Sequence, residues 1–184
     1  MAVTVEPSEF NFVFFNADEV AAVARNMLTL VGMGDRNLHV EVDETTPIAR
    51  VWIADGDPIV LKAESGAFED TRRPRHFGES VASLSIGRML MRLRDRSEAG
   101  FADAPADDAL DLAQVSAWDT YAVGRLRRAG MDAHEPRWRY NFRNRHGFSD
   151  QVDGAFQTIW SAEQLTWSEL NEISSACHTV PAPR

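Results

Sequence analysis

The spacing of hydrophobic and polar positions changes several times along this chain, and each change marks an element. Val20, Val23, Met27, Leu28 and Val31 recur every three or four residues behind Asn16, with Glu19 placed for a capping box. This predicts a helix near 17–31, preceded by short extended pieces at 3–5 and 10–15. Leu38-His39-Val40-Glu41-Val42-Asp43 alternates strictly and reads as a half-buried strand. Two further strands are predicted at 48–53 and 59–63, joined by the turn Asp55-Gly56-Asp57-Pro58. The three are expected to form an antiparallel meander over 38–64.

Residues 65–78 show no period and read as irregular. Val81, Leu84, Ile86, Met89, Leu90 and Leu93 return to helical spacing and predict a helix near 79–96. A third helix is expected near 105–128. Asp103 would cap it, Pro105 would lie in its first turn, and Leu112, Val115, Trp118, Ala122 and Leu126 would form its buried stripe. The period then drops to two. Trp138, Tyr140 and Phe142 alternate with Arg137, Arg139, Asn141 and Arg143, which reads as a strand near 137–143. Its rings would enter the core and its arginines would line the other face. Ser149 or Asp150 starts a short helix bearing Val152, Phe156 and Ile159, and Thr166-Trp167-Ser168-Glu169 is a capping box for another.

Strands and helices are grouped rather than alternating, so the class is α+β. The expectation is a single globular domain over 1–178 with a frayed tail at 179–184. Its sheet would be small and mostly antiparallel, the meander plus the strand near 137–143. Helices near 17–31, 79–96 and 105–128 would pack on it, followed by the short C-terminal helices.

Charge adds a layout that hydropathy does not show. The net charge is −9, yet residues 71–96 and 125–145 each hold seven arginines against two acids. Between them, 97–124 holds six acids and no base. Eighteen cationic residues are arginine and only Lys62 is lysine. A high-GC genome would favour arginine over lysine by codon bias, but that does not explain the clustering. Guanidinium forks match phosphate and carboxylate oxygens. The plainest use of the clusters is neutralisation by acids of the same chain. The single cysteine, Cys177, excludes an intrachain disulfide, and with no signal-like or membrane-length apolar run the chain is expected in the cytoplasm.

The motifs of several chemistries are missing. The five histidines, His39, His76, His134, His146 and His178, include no pair four apart, so no metal site is expected. No phosphate loop, dinucleotide fingerprint or nucleophile elbow occurs, and no cofactor is expected. Glu41 and Asp43, with Glu64 nearby, read as a solvated strand face before a cation site. Three readings stay open, in this order. The first is a non-enzymatic binding module using arginine-rich surfaces, with self-association or an acidic protein as partner. The second is a small enzyme or ligand carrier for an anionic small molecule, with Arg137, Arg139, Arg143, His134 and His146 as ligand-binding candidates. The third is nucleic-acid binding. It is disfavoured because rings and arginines fall on opposite faces of the expected strand and because the net charge is negative. No membrane partner is expected.

Overall fold

The computed structural model describes residues 2–177 as two compact units, the first ending at Arg94 and the second beginning at Asp95. The chain is α+β, and its described residues hold six helices, a four-stranded mixed sheet and a two-stranded antiparallel one. No described helix is long and apolar enough to cross a membrane. The tail expected at 179–184 lies outside the described residues, as does His178.

In the first unit, β1 (Val3–Glu6) leads to α1 (Ala17–Leu30). The Asn16 side chain accepts the amides of Asp18 and Glu19 at 2.7 and 3.4 Å, as a cap should. Strands β2 (Leu38–Asp43), β3 (Val51–Ala54) and β4 (Ile59–Glu64) follow, in the sheet order β1-β2-β4-β3. The expected meander is corrected here. Only β3 and β4 pair antiparallel, through the predicted turn, whereas β2 runs parallel to both β1 and β4. Residues 44–50, with Pro47 among them, are too long for a tight hairpin, so β3 is carried past β4 to the outer edge. Parallel register sets Leu38, Val40 and Val42 beside Ile59, Leu61 and Ala63, and all six are buried. The opposite face carries Glu41 and Lys62, paired at 2.7 Å.

Residues 65–78, expected to be irregular, hold a 3-10 turn at Ser65–Ala67 and the hairpin of β5 (Glu69–Asp70) and β6 (Arg73–Phe77). Helix α2 (Glu79–Arg96) matches its expected span, and its last two residues belong to the second unit.

The second unit is helical. The third helix, α3 (Leu112–Arg128), starts later than expected. Asp111 and Gln114 form a reciprocal capping box, at 2.8 Å to the Gln114 amide and 3.0 Å to the Asp111 amide, and this replaces Asp103 as the start. The strand expected near 137–143 is instead α4 (Glu135–His146). The helical signals there are local. Pro136 sits in the first turn beside Glu135, basic residues fill the last turn, and Gly147 stops the helix at φ 104°. Alternating rings mimic a strand, but on a helix Tyr140 turns away from the face that Trp138 and Phe142 share. Phe142 is fully buried, Tyr140 is 57% exposed, and Trp138 lies between. Helices α5 (Asp150–Ser161) and α6 (Trp167–Ala176) begin at Ser149 and at the Thr166–Glu169 capping box. The core of this unit is aromatic. Trp118 meets Phe101 and Trp167 at 5.0 and 5.4 Å, and Phe156 meets Phe142 and Trp160 at 5.8 and 5.4 Å.

Candidate interaction face

Helical geometry sorts the arginine-rich segment into two faces. Residues three and four apart share a face, so Glu135, Arg139, Phe142, Arg143 and His146 lie on one side of α4. Phe142 and His146 are its buried members, with ring centroids 3.8 Å apart. The His146 ring meets the Phe142 carbonyl through Nδ1 at 3.0 Å and the Ser174 hydroxyl through Nε2 at 2.8 Å. Nδ1 can only donate to that carbonyl, so both ring nitrogens have partners within the unit.

Both arginines on this side meet oxygens of the same unit. Arg139 donates to Glu135 Oε1 at 2.8 Å and to Gln157 Oε1 at 3.0 Å. Its guanidinium also lies over the Phe156 ring at 5.0 Å. Arg143 donates from Nε to Asp153 Oδ1 at 2.7 Å and from Nη2 to the other oxygen, a two-pronged pair. The same holds elsewhere in the arginine clusters. Arg96 reaches Asp107 at 2.6 Å, and Arg128 donates to the backbone carbonyls of Trp160 and Ala162. Neutralisation within the chain thus accounts for Arg96, Arg139 and Arg143, whereas Arg128 is held by uncharged backbone carbonyls.

The other side of α4 differs. Arg137, Tyr140, Asn141, Asn144 and Arg145 recur at three- and four-residue spacing, and all five are exposed. Phe148, 64% exposed, extends the row and meets the Tyr140 ring edge-on at 6.0 Å. Among the described residues neither Arg137 nor Arg145 has a carboxylate at ion-pair distance. The side therefore presents two guanidinium forks, two carboxamides, a phenol and a phenyl ring on an outward-facing helix. Such a surface can grip planar anions and bury rings against a partner, but it holds no nucleophile paired with a base.

The five candidates from sequence are therefore dispersed. Arg139 and Arg143 come together on the engaged side, His146 is buried beneath them, and Arg137 faces the open side. His134 occupies the N-cap position, exposed and without a capping bond. Asn141, Asn144, Arg145, Tyr140 and Phe148 were not candidates. Reading Pro136 to Gly147 at helical period would have found all but Phe148.

No group of three His, Cys, Asp or Glu among the described residues could hold a metal ion. Glu41 is paired with Lys62, Asp43 accepts from Thr45, and Glu64 meets Arg50 through Oε1 while its buried Oε2 has no hydrogen-bond partner among the described residues. Burial pushes the Cys177 thiol above its ordinary value, and Sγ donates to the Ile173 carbonyl.

The ion pairs set an acid limit. The Arg143 hydrogen bonds hold the Asp153 carboxyl below the ordinary 3.8, and Arg36 does the same for Asp55. A depressed folded pKa gives stability that is present above the unfolded value and is lost as pH falls through the folded one. Urea midpoints should therefore decline from about pH 4 downward, and Asp153→Asn should flatten that limb. An unchanged slope in the variant would remove Asp153 from the cause.

No protein-family model, curated protein or solved structure matches this chain.

Proposed function

We propose that the protein is a binding module that uses the open side of α4 to hold an acidic surface of a partner protein. The observation that carries this is the row Arg137, Tyr140, Asn141, Asn144, Arg145 and Phe148, exposed together while the arginines on the opposite side are paired within the chain. Arginine, tyrosine and phenylalanine are residues enriched at protein interfaces, where rings supply area and guanidinium supplies direction. An outward-facing helix favours a macromolecule over the small anionic ligand that a cleft would take. The negative net charge favours a local acidic patch over a long polyanion.

Retention on a short immobilised glutamate-rich peptide at low ionic strength tests this reading. Retention should weaken as salt rises toward about 0.15 M, where exposed charges are screened beyond ~8 Å. Arg137→Glu with Arg145→Glu should weaken it by about tenfold, the sum of two exposed charge reversals. Equal retention of the double variant would overturn the proposal. Retention on a single-stranded oligonucleotide column alone would replace the acidic protein with nucleic acid.

A further inference from the structure

A cavity in the first unit has a different chemistry. Its volume is about 240 Å³, smaller than the cavities that take drug-sized ligands. Phe12, Val13 and Pro47 make an apolar wall. Glu44, Glu69 and Arg75 are the charged residues among its lining.

These groups are held in place by the chain around them. Glu44 Oε2 accepts the backbone amides of Asn11 and Phe12 at 2.7 and 2.5 Å, while its Oε1 has no hydrogen-bond partner among the described residues. Glu69 accepts the Ser65 hydroxyl at 3.0 Å and the Arg75 amide at 2.8 Å. Arg75 sits at φ 64°, a left-handed conformation rare for a side chain of its size. The bond from its amide to Glu69 and the one from the Phe14 amide to its carbonyl, at 2.7 Å, brace it on both sides. Its guanidinium has no carboxylate at ion-pair distance among the described residues.

We infer that this cavity binds a free α-amino acid with an apolar side chain. A guanidinium fork matches a carboxylate and the glutamates match an ammonium. The wall takes the side chain, and the volume suits a single residue. Neither a simple anion nor a simple amine uses all three parts. This inference rests on the first unit alone and is independent of the α4 face.

Titration of the intact protein with L-leucine, followed by amide NMR, tests it. The Phe12, Thr45 and Arg75 amides should shift and saturate with a dissociation constant on the order of millimolar, the range open to a ligand of so few atoms. N-acetyl-leucine lacks the ammonium and isoamylamine lacks the carboxylate, so each should bind at least ~10-fold more weakly. Arg75→Gly keeps the backbone conformation, because glycine accepts positive φ, and should reduce leucine to the level of isoamylamine. Shifts that do not saturate, equal binding of N-acetyl-leucine, or an Arg75→Gly variant that binds leucine unchanged would each overturn the inference.

Discussion

Replacing Asp95 with alanine is expected to destabilise the second unit by about 3–5 kcal/mol, the cost of stranding one partner of a buried ion pair. Asp95 is fully buried. Arg125 meets it with both terminal nitrogens, at 2.7 and 2.6 Å, and the Trp118 indole donates to it at 2.8 Å. The Arg125 side chain is only 13% exposed and lies over the Tyr121 ring at 3.8 Å, while its Nε has no hydrogen-bond partner among the described residues. Without Asp95 that cation keeps the ring but loses its counter-charge, and the indole loses its acceptor. Urea unfolding would show a lower midpoint at unchanged slope. Asp95→Ala combined with Arg125→Met should recover much of the loss, since a neutral pair removes the stranded charge. Additive losses in the double variant would show that the ion pair is not the cause.

Burial pushes the Asp95 carboxyl above its ordinary value, while Arg125 and Trp118 pull the other way. A raised folded pKa means that the folded state takes up the proton first. This site therefore gains stability as pH falls through that value. It opposes the acid limb set by Asp153 and Asp55 rather than adding to it.

The second large effect separates two glycines that helix propensity treats alike. Alanine at either should gain about 1 kcal/mol from propensity alone. A Cβ at Gly124 in α3 would lie 2.2 Å from the Trp160 carbonyl oxygen and 3.0 Å from its carbon, both backbone atoms of α5. Backbone cannot rotate away as a side chain can, so the two helices must part. Gly124→Ala should therefore lose about 2 kcal/mol or more despite the propensity gain. At Gly154 in α5 a Cβ would meet nothing within 4 Å, and Gly154→Ala should gain about 1 kcal/mol. Thermal midpoints moving in opposite directions would verify the pair. Movement in the same direction would refute the close approach of α3 and α5.

Local signals survived into the structure wherever one element could form on its own terms. Asn16, Ser149 and Thr166 cap the helices they were expected to start, because a side-chain oxygen within three residues of an orphan amide needs no distant partner. The candidate face was half legible. Its arginines and rings stand out in the sequence, but their two-residue alternation masks the helical period that Pro136 and Gly147 frame.

By itself, then, the sequence determined the α+β class, the position of most helices, the hairpin at 55–58 and the segregation of charge. These depend on periods and turns spanning a few residues. Only the tertiary structure decided that β2 lies parallel to β4, because strand order depends on where a seven-residue link can carry the chain. Only it decided which arginines are spent on Asp95, Asp153 and Glu135 and which, at 137 and 145, stand free of carboxylates among the described residues. An ion pair is a meeting of residues distant along the chain, and charge composition records how many can form but not which.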